Sequence, residues 1–311
     1  FLSSRPSMTY FSVPMDILSD LFRDAGLRRR IVDLIDLPTG EQRHFPCDRS
    51  VGLHVMLDGA AWLHAAGAAA PIRLEAGDIA LMSRGEHHAL APATATCRVV
   101  SGAYQLWHTP LHPVFSEWPA WSIRHGDRAN GLAPVELTVA LLAEEAAGDA
   151  LGRETAVHAL LDLLFTRVVR ELVEQRGLST PGVGHAMRDP QIREALVLLH
   201  DSPSADWTID RLGAAVGLSR SAFAERFRAV VGEPPLTYLR TLRLQRAMRL
   251  LTESRDGLDG IATRVGYGDA FAFSKAFKKA TGMSPGEFRR RDDAERFAPV
   301  RFEARPAMGG D

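Results

Sequence analysis

Residues 266–285 read GYGDAFAFSKAFKKATGMSP, a glycine-bearing turn followed by two phenylalanines four residues apart with three lysines beside them. Side chains separated by four residues lie on the same face of a helix. The stretch therefore predicts a helix with one buried, aromatic face and one cationic face that remains in contact with solvent.

A near-copy of this stretch lies fifty residues upstream, in IDRLGAAVGLSRSAFAERFRAVVGEPP at residues 209–235. Phe223 and Phe227 match Phe273 and Phe277 at an offset of 50. The glycine and proline that follow each phenylalanine pair repeat at the same offset. The second copy has one extra residue in its turn and is otherwise in register.

Each copy follows the same physical pattern. A short helix with an apolar stripe ends near Gly217 or Gly266, because glycine adopts the left-handed conformation at low cost. Ser219 or Asp269 then supplies a side-chain oxygen that caps the next helix. The pattern is typical of a helix-turn-helix, a unit that presents its second helix to the major groove of DNA.

The two copies are joined by PLTYLRTLRLQRAMRLLTES, residues 235–254, in which an arginine recurs every three residues from Arg240 to Arg249. A helix of roughly 17 residues here would be about 25 Å long. We expect such a helix to hold the two reading helices about one DNA turn, ~34 Å, apart.

The charge of the chain is divided between its two halves. Residues 188–291 contain 18 lysines and arginines and 12 acidic residues, a net charge of +6, while the remainder, with 19 basic and 26 acidic residues, carries −7. This division indicates that only the C-terminal part meets a polyanion. A plain helical bundle with solvated faces is the alternative.

The N-terminal half has the pattern of a β domain. Short alternating or apolar runs at 51–57, 60–66, 71–83 and 96–106 are separated by turn residues and predict strands of a sandwich or barrel. Residues 135–147 and 153–177 then show helical spacing, with Gly177 closing the second run. Residues 177–188 are small and turn-prone, as in a linker.

The sequence thus predicts an α+β protein: an N-terminal cupin-like β-barrel with two or more covering helices, and a C-terminal all-α domain with two helix-turn-helix units joined by a long helix. We place the boundaries as follows: a flexible extension at 1–14, the barrel at 15–133, a helical packing or dimerisation segment at 134–176, the linker at 177–188, the DNA-binding domain at 189–291 and a tail at 292–311. No run of eighteen apolar residues and no secretory leader pattern occurs. Together with the use of only two cysteines, this favours a cytoplasmic protein without a membrane segment.

The string IATRVGYGDAFAFSKAFKKATGMSPGEFR closely resembles the signature of the AraC-type (AraC/XylS) transcriptional regulators, and the resemblance covers about residues 188–291. It implies that two helix-turn-helix units bind consecutive major-groove segments and that RNA polymerase is a partner. Carried over by position, it implies these reading positions: Ser219, Arg220, Ser221, Ala224, Glu225, Gly268, Asp269, Ala270, Phe271, Ser274 and Lys275. Three further cations, Arg228, Arg243 and Lys278, are candidate DNA contacts on charge alone.

These residues differ in the contacts that their chemistry allows. Arg220 and Lys275 can donate to guanine or phosphate, and Glu225 can accept from cytosine N4. Ala224, Ala270 and Phe271 offer only apolar contact, for example to a thymine methyl group. The other cations on these helices, Arg226, Arg228, Lys278 and Lys279, suit phosphate contact or a solvated face better than base reading.

The strand region resembles the cupin-type sensory domain of one branch of the same family, through LHVMLDGAAWL (53–63) and EAGDIALMSRGEHHAL (75–90). The second segment matches the second cupin motif, with Arg84 at its usual proline, whereas the first motif is absent in its usual spacing. A complete catalytic metal set, and with it an oxygenase, is therefore not expected. A zinc-like ion remains a candidate ligand, with five potential donors: His44, Cys47, His54, His87 and His88.

The two cysteines suggest a second kind of sensor. Cys47 and Cys97 are candidates for a redox switch, Cys47 more so because it lies in a polar loop beside Arg49, where a cation favours the thiolate. Cys97 lies in an apolar strand and is better interpreted as a small buried hydrophobe.

The favoured function is a non-enzymatic transcription factor that binds double-stranded DNA and whose acidic half senses a small molecule, metal or oxidant. Helices 135–147 and 153–176 cover the barrel or pair with a second subunit, and we favour a homodimer. A cupin metalloenzyme with an appended DNA-binding module is the main alternative. An architectural DNA binder without an effector is a third, although it leaves the acidic half unexplained.

Overall fold

The computed structural model describes residues 18–19, 22, 28–45, 50–105, 118–127, 129–176, 181–295 and 304–306. Predictions that concern the extension 1–14, Cys47 and most of the tail 292–311 fall outside the described residues. The strands are β1 (Arg28–Asp36), β2 (Glu41–Phe45), β3 (Ser50–Ala65), β4 (Ile72–Glu75), β5 (Ile79–Met82), β6 (His88–Gln105), β7 (Trp121–Arg124) and β8 (Ala304–Pro306). The helices are α1 (Pro134–Ala147), α2 (Arg153–Arg176), α3 (Val183–Ala186), α4 (Pro190–Asp201), α5 (Ile209–Ala215), α6 (Arg220–Val231), α7 (Pro235–Glu253), α8 (Leu258–Arg264), α9 (Ala270–Thr281) and α10 (Pro285–Glu295).

The described strands form an antiparallel sheet built on β3 and β6, which pair along almost their whole length. Strands β4 and β5 pair with the other edge of β3, and β1 and β2 pair with different parts of β6. One face of the sheet surrounds an apolar cluster drawn from β1 to β6, which includes Phe45, Met56 and Val99. Its other face, which includes Leu53 and Val100, packs in a second cluster with α1 and α2. The predicted barrel with covering helices is confirmed.

Strand β3 corrects the predicted break between residues 57 and 60. It is one continuous strand of 16 residues, with shifts of register between Met56 and Asp58 and between Gly59 and Ala61. Gly59 has a φ of +71°, and a Cβ atom there would lie 1.9 Å from the Thr96 carbonyl oxygen. A glycine bulge therefore bends the strand where the sequence suggested a turn.

The helices after the sheet begin and end close to their predicted bounds. Helix α1 starts at Pro134, a residue suited to the first helical position because its missing N–H needs no partner there. Part of the predicted linker is ordered, since α3 lies within it and packs against both α2 and α6. The backbone N–H of Gly182 also donates to the Val230 carbonyl at 2.8 Å. The connection is therefore a packed element over its described part.

The C-terminal helices divide into two packed groups. Phe223 and Phe227 of α6 belong to the large cluster that continues through α3 and α2 to the sheet. Phe273 and Phe277 of α9 belong to a separate cluster with the second half of α7, with α8 and with Phe288 of α10. Among the helices that the structure describes, none combines the length and apolar character needed to span a bilayer.

The contact between α4 and α7 contains a buried histidine. His200 Nε2 lies 2.7 Å from the Tyr238 hydroxyl, and burial lowers the pKa of His200 from 6.5 to about 4, with Arg246 adding to the effect. Between about pH 4 and pH 6.5 the imidazole of His200 is therefore neutral in the folded protein but protonated in the unfolded chain.

We expect the protein to lose stability as the pH falls from about 6.5 toward 4, because the unfolded state then binds a proton that the folded state excludes. At pH 5 the contribution of His200 to this loss is about 2 kcal/mol. Urea unfolding at pH 7.5 and pH 5, compared between the wild type and His200→Gln, measures it. The variant should show a smaller pH difference, and an equal difference would contradict the assignment.

Candidate nucleic-acid interface

Helix α6 is fixed in place by its ends and by its buried face. The Ser219 side chain accepts a hydrogen bond from the Ala222 N–H at 3.3 Å, and the helix ends at Gly232 in the left-handed conformation. Phe223 and Phe227 are fully buried. The opposite face is thereby held at the protein surface.

Helix α9 repeats this arrangement in the second copy. The Asp269 carboxylate accepts from the Ala272 N–H at 2.7 Å, and Gly282 ends the helix in the left-handed conformation. Phe273 and Phe277 are fully buried. The caps and the buried pairs predicted from the repeat are confirmed in both copies.

The turn before α9 requires glycine. Gly266 has a φ of +83°, and a Cβ atom there would lie 2.8 Å from the Ser204 Cα and 2.9 Å from the Arg243 guanidinium. Both the backbone conformation and the space exclude larger residues. This glycine therefore lets the turn lie against Ser204 and the Arg243 side chain.

The exposed faces of α6 and α9 carry most of the predicted DNA-contacting side chains. On α6, Arg220, Ser221, Glu225 and Arg228 are exposed and Ala224 is half-buried. On α9, the exposed side chains are Phe271, Lys275 and Lys278, with Ala270 and Ser274 half-buried. Gly268 is exposed in the turn before α9.

The cations of the two helices have different surroundings. Arg220 pairs with Asp210 at 3.1 Å, and Arg226 pairs at 2.6 Å with Asp189, which also caps α4. Among the described residues, Lys275 has no ion-pair partner. Part of the positive charge on α6 is thus compensated within the protein, whereas that of Lys275 is available to a ligand.

Three members of the predicted set have tasks within the fold. Ser219 and Asp269 cap their helices, so these side-chain oxygens are already engaged. The Arg243 guanidinium donates to the carbonyl oxygens of Pro203 at 2.7 Å and Ala205 at 2.8 Å, and burial lowers its pKa. Arg243 thus attaches α7 to the loop before α5, and we leave it out of the proposed DNA contacts. The regular spacing of the arginines in the sequence gave no sign that Arg243 has this structural role.

The connecting helix α7 has 19 residues, which corresponds to about 28 Å at 1.5 Å per residue. This is slightly longer than the predicted helix. Arg240 is exposed, and Arg246 and Arg249 are half-buried. The arginines therefore do not form one uniform cationic row.

The barrel interior brings together two of the five candidate metal ligands. His54 and His88 are buried, with their Nε2 atoms 2.6 Å apart. His54 Nδ1 lies 2.7 Å from the Ser101 hydroxyl, and His88 Nδ1 lies 2.9 Å from the Glu86 carbonyl. The phenyl ring of Phe45 stacks on His88 at 5.1 Å.

These contacts determine which nitrogen of each imidazole carries the proton. The Glu86 carbonyl can only accept, so His88 Nδ1 carries the proton and its Nε2 is an acceptor. His54 Nε2–H then donates to His88, and the Ser101 hydroxyl donates to His54 Nδ1. Burial lowers the pKa of His54 well below 6.5 and that of His88 to about 4, which agrees with two neutral rings.

The pair does not fit a zinc centre. Zinc sites in proteins use at least three protein ligands, and the described residues contain no group of three histidine, cysteine or acidic side chains suited to a metal. His44 and His87 are exposed, and Cys47 lies outside the described residues. The expected five-residue site is therefore not assembled among the described residues, because the buried imidazoles bond to each other and to Ser101.

Cys97 is a buried free thiol on β6. Burial first, and then the neighbouring Asp58 and Asp36, raise its pKa to about 11. The thiol is therefore protonated at neutral pH and is a poor nucleophile. The interpretation as a small buried hydrophobe is confirmed, and Cys97 gives no support to a redox switch.

A polar network that was not apparent in the sequence joins the sheet to both covering helices. Arg124 of β7 donates to Glu136 of α1 and to Glu171 of α2, each at 2.8 Å. The Tyr104 hydroxyl of β6 donates to Asp162 of α2 at 3.0 Å. Residues distant in sequence meet here, so no local pattern could have revealed them.

Two family models match the chain. One described as a helix-turn-helix domain covers residues 212–291, and one described as a cupin covers residues 16–174. The first match runs from α5 to α10, and the second covers strands β1 to β7 together with α1 and α2.

Similar proteins are named as regulators of transcription. A Streptomyces lividans protein named as an AraC-like transcription regulator is 33% identical over 183 residues, which cover 59% of this chain and 55% of the relative. The HTH-type transcriptional regulator AlkR of Acinetobacter baylyi is 37% identical over 139 residues, covering 44% of this chain and 45% of AlkR. The chain thus spans about half the length of these relatives. Among solved structures, the DNA-binding domain of AdpA in complex with a target DNA is 31% identical, covers 33% of this chain and 94% of that structure, and has a TM-score of 0.33.

Proposed function

The chain belongs to the AraC-type family of transcriptional regulators with an N-terminal cupin domain, and we propose that an effector acting on that domain changes how the two helix-turn-helix units bind promoter DNA. The observation that carries this proposal is the pair of capped helices, α6 and α9. Each buries two phenylalanines and leaves a polar, cation-bearing face at the surface.

The distribution of lysine supports α9 as a DNA-contacting element. The chain has three lysines, and Lys275, Lys278 and Lys279 all lie on α9 and are exposed. Cations near DNA displace condensed counterions, which makes the affinity depend steeply on salt. We propose that these lysines contact phosphates beside the bases that α9 reads.

The packing suggests a route from the cupin domain to DNA. Arg124 and Tyr104 attach the sheet to α2, and α2 packs against α3, which in turn packs against α6. One apolar cluster runs along this route as far as Phe223 and Phe227, whereas the phenylalanines of α9 lie in another. We propose that a shift of α2 reaches the first unit directly and the second unit only indirectly, through α7 and through the loop at Ser204 that lies against Gly266.

We propose a small organic molecule as the effector class. The buried His54–His88–Ser101 chain is a polar group inside an apolar barrel, and its ring nitrogens already bond to one another, to Ser101 and to the Glu86 carbonyl, so a ligand would recognise it by replacing one of these hydrogen bonds. The cupin metalloenzyme alternative loses support, because only two imidazoles meet there. Sensing requires that the molecule bind one conformation of the protein better than another.

Selection of fragments from a random DNA pool tests the function itself. The wild-type chain should recover a defined sequence that occupies two successive major-groove segments. Recovery of no preferred sequence would contradict regulation through specific binding.

Exposed leucines on both covering helices suggest a dimer. Leu137 and Leu141 lie one turn apart on α1, and Leu163 lies on α2, with exposed fractions of 43%, 52% and 42%. A second copy of the chain would remove this apolar surface from water. We propose that α1 and α2 form the dimer interface.

Replacing Lys275 with alanine should weaken binding to the selected site and lower the slope of log affinity against log salt by about 1. Fluorescence anisotropy at salt concentrations from about 50 to about 200 mM measures the affinity and its salt slope. Arg226→Ala is the matched control and should leave the slope unchanged, because Asp189 already holds that guanidinium. An unchanged slope with relaxed sequence preference would instead indicate a base contact for Lys275. No change in either would refute the assignment.

Replacing Arg124 with alanine should loosen α2 and speed amide exchange in α3 and α6 while leaving α9 unaffected. Hydrogen exchange followed by mass spectrometry measures all three segments in one experiment. Arg98→Ala is the control, since the Arg98–Asp36 pair lies on the sheet and is largely exposed. Equal acceleration in α6 and α9, or none in either, would rule out the proposed route.

Replacing Leu141 with glutamate should convert the proposed dimer into a monomer at micromolar concentration, because a charge would be buried without a partner. Sedimentation equilibrium measures the mass. Leu236→Glu, at a leucine of similar exposure on α7, should leave the dimer intact. A monomeric wild type would show that the apolar face has another use.

A further inference from the structure

Helix α9 contains three phenylalanines, two of which are buried and one of which is exposed. Phe273 and Phe277 are fully buried, whereas Phe271 is 79% exposed at the second position of the helix. Burying a phenylalanine typically stabilises a fold, so an aromatic ring left in water contributes little to this one. The fold therefore does not explain the presence of Phe271.

The neighbours of Phe271 restrict the kind of partner that the ring can meet. Lys275 lies one turn further along the same face and is exposed, and Lys278 follows one turn later. A wholly apolar partner would leave these ammonium groups without compensation. The face fits a partner that offers an apolar group flanked by anions.

The first unit gives an internal comparison on the same backbone. At the offset of 50, Ser221 stands where Phe271 does, and Glu225 stands where Lys275 does. Both α6 residues are polar, exposed and able to exchange hydrogen bonds with base edges. The two units therefore present different chemistry from matching positions.

Resting on the function proposed above, we infer that the second unit selects thymine through Phe271, whose ring packs against the C5-methyl group in the major groove. The N-terminal residues of the second helix of such units contact base edges. Among the four bases, thymine alone presents an apolar group at the major-groove edge. Lys275 then lies where it can contact a phosphate beside that base.

The test uses the site recovered by random-pool selection and replaces each thymine in turn with deoxyuridine, which differs only by the missing methyl group. At one thymine under the second unit, wild-type affinity should fall about fourfold, the change expected for one buried methyl group. Phe271→Ala should bind the thymine and deoxyuridine sites with equal affinity. Placing 5-methylcytosine rather than cytosine at that position should favour the wild type and make no difference to the variant.

Two control variants separate the outcomes. Ser221→Ala, the matched position in the first unit, should keep the full deoxyuridine penalty. Phe271→Ala should melt like the wild type because the ring is exposed, whereas Phe273→Ala should melt well below it. A penalty that persists in Phe271→Ala, or the lack of any sensitive thymine, would overturn this inference and leave the proposed function standing. Failure of the wild type to select any sequence would refute the proposed function instead.

Discussion

The burial of two phenylalanines per helix, four residues apart, is the constraint on which the rest of the DNA-binding half depends. With both rings at zero exposure, the rotation of α6 and of α9 about their axes is fixed. The caps at Ser219 and Asp269 fix where each helix begins, so the exposed residues occupy defined positions. Reading DNA by specific side chains requires that precision, because base contacts depend on hydrogen-bond geometry.

The two helix-turn-helix units share the same backbone arrangement but differ in the core that each packs against and in the charges on their surfaces. The first is joined by a continuous apolar core to α3, α2 and the sheet, and its cations Arg220 and Arg226 are compensated by Asp210 and Asp189. The second has its own core, and the lysines of the chain lie on its surface. This asymmetry agrees with the proposal that a change in the cupin domain would reach the first unit before the second.

The cupin half illustrates how burial changes the chemistry of a residue type. Histidines that suggested a metal site in the sequence become two neutral rings bonded to each other, since desolvation opposes their charged forms. The thiol of Cys97 is protonated for the same reason. In this barrel, a low-dielectric interior turns potential ligands and nucleophiles into neutral hydrogen-bonding or apolar groups.

The repeat, the capping residues, the buried phenylalanines and the succession of a β domain and a helical domain were all determined by the sequence alone. Each depends on local periodicity or on the backbone preferences of glycine, proline and capping side chains, which act over a few residues. The tertiary structure alone decided that Arg243 holds a loop, that Arg124 joins the sheet to two helices, and that His54 meets His88. Those contacts join residues between 12 and 47 positions apart, as in Arg124 with Glu136 or Glu171, His54 with His88, and Arg243 with Pro203. Their partners are set by how the elements pack against one another, and no local pattern records that packing.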